Sequence, residues 1–141
     1  MGLVLDSSVL IDAERRHWTV AAFLRQLRET VGPQDVALST ISIAELAFGI
    51  HRANSIERHA RRRKFLDDLK TSTPIISVSA EVAELAGKLN AETSGRGVVV
   101  PFDDLLIGAC ALEQGYAVAT RNPRHFRLIP GLMVVHLESL L

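Results

Sequence analysis

The sequence holds a single cysteine, Cys110, so no disulfide can form within one chain and a disulfide-stapled scaffold is excluded. Its setting in the apolar run Ile107-Gly-Ala-Cys-Ala-Leu112 is that of a small buried residue. No apolar stretch approaches the roughly 20 residues needed to span a bilayer. Leu3 to Leu5 is cut short by Asp6 and has no basic lead-in, so it lacks the form of a secretory signal core. A cytoplasmic protein with no membrane partner is the expectation. Excess charge of either sign is missing too: 16 Lys plus Arg face 16 Asp plus Glu, so any basic surface must be local. The five histidines, His17, His51, His59, His125 and His136, show no paired ligand spacing, which argues against structural zinc. Gly95 and Gly97 make a two-glycine turn with no following Lys-Ser, so there is no phosphate loop. No Ser-His-Asp constellation can be traced from spacing.

What is present is a chain of 141 residues, 48% hydrophobic, the size and composition of one domain covering residues 1–141. Short apolar runs predict strands at Gly2 to Leu5, Val36 to Leu38, Ile75 to Val78, Ala117 to Ala119 and Met133 to His136. Between them lie helical patterns from Ser8 to Arg15 and Thr19 to Thr30, from Ser42 to about Ala53, from Ile56 to Leu69, after Ser79 to about Glu92, and from Asp104 to Gln114. Strands alternating with helices predict a three-layer α/β/α domain around a central, mainly parallel sheet of about five strands. In such sheets ligands bind beyond the carboxyl ends of the strands, so residues just after strands carry the functional weight.

Acidic residues stand at those places. Asp6 follows the first strand, where it can cap a helix or serve a site. Glu45 closes Ser42-Ile-Ala-Glu45, which has the form of a capping box. Asp103 and Asp104 open an apolar helix, and one of the two is expected to cap it. Like charges gathered at one sheet edge repel, and such a cluster persists when a hard cation such as Mg²⁺ or Mn²⁺ neutralises it. A divalent ion among carboxylates is suited to hydrolysis of phosphodiesters.

Four blocks together resemble the PIN-domain ribonucleases, specifically the VapC-like toxins of type II toxin-antitoxin systems. They are Leu5-Asp-Ser-Ser-Val-Leu-Ile-Asp12, Ser39-Thr-Ile-Ser-Ile-Ala-Glu-Leu-Ala-Phe-Gly49, Asp104-Leu-Leu-Ile-Gly-Ala-Cys-Ala111 and Ala119-Thr-Arg-Asn-Pro-Arg-His-Phe126. The resemblance covers nearly the whole chain in order. It implies a PIN-like fold, Mg²⁺ with Mn²⁺ as substitute, an RNA substrate cut by metal-dependent endoribonuclease chemistry, a cognate antitoxin and a homodimer. It maps the catalytic, metal-binding carboxylates to Asp6, Glu45 and Asp104, choosing Asp104 because the family's acidic residue stands three before the isoleucine, here Ile107. Asp103 is then left to cap the helix. The fourth position, often Asp in the family, is Asn122, whose amide oxygen can face metal or water without bringing charge. Asp12, six residues after Asp6, is expected to point away from the site, and Thr120 to orient Asn122 or cap locally.

Arg58-His-Ala-Arg-Arg-Arg-Lys64 is the one dense basic run. It reads either as a solvated helix face paired to Asp67 and Asp68 or as a phosphate-tracking patch. Arg15, Arg16 and Arg121 lie nearer the expected site. Trp18 is expected to be buried beside the second helix, and His125 to pack or cap. Two other functions compete: a non-catalytic RNA-binding or regulatory module, and a phosphatase with an aspartate nucleophile. The phosphatase pattern asks for a second Asp two residues after the first, and position 8 is Ser.

Overall fold

The computed structural model describes residues 2–138. Five strands, β1 (Gly2–Leu5), β2 (Asp35–Ser39), β3 (Ile75–Ile76), β4 (Ala117–Thr120) and β5 (Val134–His136), form one sheet in the order β3-β2-β1-β4-β5. Every strand pair in it is parallel, a stricter arrangement than the mainly parallel sheet expected from the sequence. Seven helices connect the strands: α1 (Ser7–Arg15), α2 (Val20–Val31), α3 (Thr40–His51), α4 (Ile56–Ser72), α5 (Ala80–Gly95), α6 (Phe102–Gln114) and α7 (Pro123–Phe126).

The period of two along each strand builds the three layers. Leu3 and Leu5 of β1, Leu38 of β2, and Ala117 and Ala119 of β4 pack beneath Val9, Leu10, Phe23, Leu27, Phe65 and Leu69 of α1, α2 and α4. Val4 and Val118, one residue out of phase, face Val82, Ala86, Leu89, Leu105, Ile107 and Cys110 of α5 and α6. Both sheet faces are therefore covered, which is why the strands read as continuous apolar runs. Trp18 is partly buried against the first of these clusters.

Several helix ends differ from the sequence reading. Ser39, not Ser42, is the N-cap of α3, its hydroxyl accepting from the Ser42 backbone N–H at 3.1 Å. Ser42 is buried and its own Oγ donates to the carbonyl of Leu5 at 3.2 Å, so the Ser42–Glu45 capping box does not form. Pro101 occupies the N-cap of α6 with no side-chain cap bond, and Asp103 lies exposed in the first turn. Asp103 therefore does not cap this helix; a carboxylate in the first turn is favoured by the helix dipole without such a bond. At the other end Gly115 takes the left-handed conformation, φ 69°, that ends α6 where the sequence indicated. The turn-rich segment before β5 contains the short helix α7.

From β1 the chain winds outward through β2 to β3, then crosses back to β4 on the other side of β1. The switch point thus lies between β1 and β4, and beyond their carboxyl ends the covering loops part to leave a crevice.

Candidate active site

That crevice is a groove of about 670 Å³ lined by Asp6, Ser8, Asp12, Glu45, Asp104, Arg121, Asn122 and His125, among others. The structure thus gathers the four residues singled out from the sequence, Asp6, Glu45, Asp104 and Asn122, from four separate segments.

Asp6 follows β1 directly and is N-cap of α1, yet its side chain makes no cap bond. Its Oδ2 instead accepts from Ser8 Oγ at 2.7 Å and from Thr120 Oγ1 at 2.8 Å. Thr120 is fully buried at the end of β4 and also accepts from the Asn122 backbone N–H at 2.9 Å. Ser8 Oγ accepts in turn from the Arg121 backbone N–H at 3.1 Å. Two hydroxyls therefore lock the loop after β4 to the loop after β1 and fix the Asp6 carboxylate, with Oδ1 outside these bonds. Read locally, Ser8 belongs to Asp6-Ser7-Ser8, residues suited to capping the first helix; its link to the loop after β4 comes from partners more than a hundred residues away.

Glu45 reaches the groove because Ser42, one turn earlier, hangs α3 on the last carbonyl of β1. Its Oε1 is buried and without a hydrogen-bond partner. Burial, then the charge of Asp6, push its carboxyl up to about 7. Asp104, in the first turn of α6, is also raised, by burial and by Asp6, against the opposing pull of His125. His125 neither caps nor packs into the core; its Nδ1 stands 3.2 Å from Asp104 Oδ2. Asn122 is N-cap of α7 without a side-chain cap bond, so its amide remains available to the groove. Asp12 does not point away, as its spacing suggested, but lines the same wall, where it pairs with Arg16 Nε at 3.1 Å and with Arg121.

The donor set is all oxygen and rich in mutually repelling carboxylates, with one carboxylate oxygen orphaned, and that chemistry fits a hard divalent cation. Among the described residues no three acidic, histidine or cysteine side chains close into a ready metal cage. Asn122→Asp adds a charged oxygen at the rim, so it is expected to tighten Mg²⁺ binding several-fold in a calorimetric titration. An unchanged affinity would show that this side chain does not face the ion.

The basic run of α4 is largely taken up within the chain. Arg61 and Arg62 pair with the buried Glu14, Arg63 with Asp67 and Lys64 with Asp68, while Arg58 donates to Asn54. The solvated, ion-paired reading of this run therefore holds. No helix of the described residues is long and apolar enough to cross a membrane.

Similarity to known proteins agrees with this geometry. The sequence is 26% identical to Ribonuclease VapC2 of Rickettsia felis over 131 residues, covering 93% of this chain and 94% of that one. The fold superposes on the crystal structure of VapBC2 from Rickettsia felis, bound to a DNA fragment from its promoter, with a TM-score of 0.82 at 24% identity, covering 97% of this chain and 99% of that chain. It also superposes on VapBC-5 from Mycobacterium tuberculosis, a member of the VapBC family of toxin-antitoxin systems, with a TM-score of 0.76 at 24% identity, covering 97% and 100%. The family model described as PIN domain matches residues 3–132, nearly the whole chain, and the chain belongs to the PIN-domain family.

Proposed function

We propose that this protein is a metal-dependent endoribonuclease acting as the toxin of a toxin-antitoxin pair, with Asp6, Glu45, Asp104 and Asn122 as its working residues. The observation that carries the reading is the gathering of three carboxylates and one amide in one groove at the sheet's switch point, with the buried Oε1 of Glu45 unpartnered. Likeness to a protein named as a ribonuclease supports RNA as the substrate, and likeness to a toxin-antitoxin family member supports an antitoxin as the partner.

In this reading Asp6, Glu45 and Asp104 hold Mg²⁺, or Mn²⁺ in its place. When bound, the ion supplies Lewis-acid stabilisation for the charge that develops on a phosphodiester under attack by water. The chain's own part is to fix the ligands. Ser8 and Thr120 hold Asp6 in one orientation, and His125 restrains Asp104. The Asn122 amide offers an oxygen to water at the rim without adding repulsion to an already crowded cluster.

The purified chain is expected to cut RNA internally in Mg²⁺ or Mn²⁺ and to stop when EDTA is added. Expressed alone it should arrest growth, and a neighbouring gene encoding a small protein with a DNA-binding head should relieve the arrest. RNA left intact at millimolar Mg²⁺ and Mn²⁺ would overturn the nuclease assignment. A phosphoaspartate at Asp6 would point to the phosphatase chemistry instead.

A further inference from the structure

A phosphodiester that enters the groove meets Asp6, Glu45 and Asp104, and a single divalent ion offsets only part of their charge. The chain must supply further positive charge, and the dense basic run does not, since Arg61 to Lys64 pair with acidic residues on α1 and α4 and Arg58 donates to Asn54. Two arginines line the groove itself, Arg15 and Arg121. They differ in how they are held. Arg15 makes no ion pair among the described residues. Arg121 is fixed at both ends, its backbone N–H on Ser8 Oγ and its guanidinium on Asp12 Oδ1. Asp12 is itself steadied through its other oxygen by Arg16. With both oxygens engaged by guanidinium groups, Asp12 is committed to arginine and not to an ion in the groove.

We infer that Arg121 is a substrate-positioning residue that contacts an RNA phosphate beside the carboxylate cluster, and that Asp12 acts through it by holding its guanidinium in place. The inference rests on the ribonuclease reading above and adds the contact by which the strand is seated. A guanidinium has five N–H donors in a rigid fork. Asp12 occupies one edge and leaves the remaining donors for a phosphate. A pre-oriented arginine loses less side-chain freedom on binding than a free one, so each contact it makes contributes more affinity. The backbone bond to Ser8 ties this seat to the same hydroxyl that orients Asp6, which keeps the bound phosphate in register with the ion ligands.

The test is binding of a short, mixed-sequence single-stranded RNA labelled with fluorescein, measured by anisotropy across a salt series in an Asp6→Asn background, so that nothing is cut. Adding Arg121→Ala is expected to weaken binding several-fold and to flatten the slope of log affinity against log salt by about 0.7, the loss of one phosphate contact to a single strand. Arg121→Lys keeps the charge but loses the fork, and should fall between the two. Arg63→Ala, which removes a cation of the basic run outside the groove, should change neither quantity.

Asp12→Asn gives the sharper discrimination. If Asp12 merely adds negative charge near the strand, removing it tightens binding. If it holds Arg121, removing it weakens binding, and only while Arg121 is present. In the cleaving enzyme Arg121→Ala should raise KM far more than it lowers kcat. Wild-type affinity, salt slope and KM in a folded Arg121→Ala protein that still cleaves in Mg²⁺ would overturn this inference and leave the nuclease assignment standing. An unmutated chain that neither binds nor cuts RNA would overturn the nuclease assignment and the arginine seat with it.

Discussion

Asp6→Asn is expected to lower Mg²⁺-dependent RNA cleavage by at least ~100-fold while leaving the melting temperature within ~3 °C of wild type. The two halves of this result come from different atoms. Asn keeps a side-chain oxygen that can accept from Ser8 Oγ and Thr120 Oγ1, so the lock between the loops after β1 and β4 survives. In place of the second carboxylate oxygen it presents an N–H₂ group, which repels a cation instead of binding it. Each ~1.4 kcal/mol of transition-state stabilisation is a factor of ten in rate, and loss of one ion ligand together with its charge is readily worth two such factors. The structure also removes the plainest alternative, that Asp6 is only a helix cap, because it makes no cap bond. Wild type and variant compared by thermal melt, RNA cleavage with and without EDTA, and growth on expression decide the matter. A folded variant that cleaves RNA and arrests growth like wild type would refute the mechanism.

Divalent-ion binding is expected to strengthen as pH rises toward about 7, by up to ~tenfold per pH unit for each proton displaced, and to level off above that. The ion-free groove keeps Glu45 protonated up to about 7, chiefly through burial and then through Asp6, and raises Asp104 as well. Below about 7 an arriving ion must expel the proton; above it the carboxylate is ready. Calorimetry in buffers of differing ionisation enthalpy counts the protons released. Glu45→Gln should remove most of the pH dependence and weaken binding. A flat profile in the wild type would place Glu45 outside the ion's reach.

The same shift has a sign for stability. Between 4.5 and about 7 the folded, ion-free chain holds a proton on Glu45 that the unfolded chain gives up. Its stability therefore falls as pH rises through that window. Melts in EDTA should show Glu45→Gln losing this fall and gaining stability over wild type at about pH 8. An active-site carboxylate of this kind weakens the empty protein for the sake of its ligand.

The strands and most helices were legible because their signals are local: alternation on two buried faces, serine caps such as Ser79, and Gly115 at a helix end. The errors also have local causes. Ser39 and Ser42 stand three apart, and each has a plausible capping partner; only the approach of the Leu5 carbonyl, far away in sequence, draws Ser42 inward and leaves Ser39 as the cap. Asp103 carried the usual signature of a cap and turned out to lie in the first turn of a helix whose N-cap is Pro101. The positions of Asp6, Glu45, Asp104 and Asn122 followed from strand ends and family resemblance. Of their supports, Thr120 was legible as a local partner of Asn122, whereas its bond to Asp6 and the parts played by Ser8, Asp12 and His125 depend on partners brought by the tertiary fold.

Thr120 bonds to Asp6 across 114 positions of sequence, and this gives the molecule a timetable. A ribosome makes Asp6 first, Glu45 next, and Asp104 and the Thr120–Asn122 turn after both. Until β4 emerges and slides in beside β1, the first carboxylate has neither its buried hydroxyl donor nor its companions from α6 and α7. A chain that still lacks β4 thus carries its groove residues in separated pieces, and the groove is assembled only once β4 has joined β1.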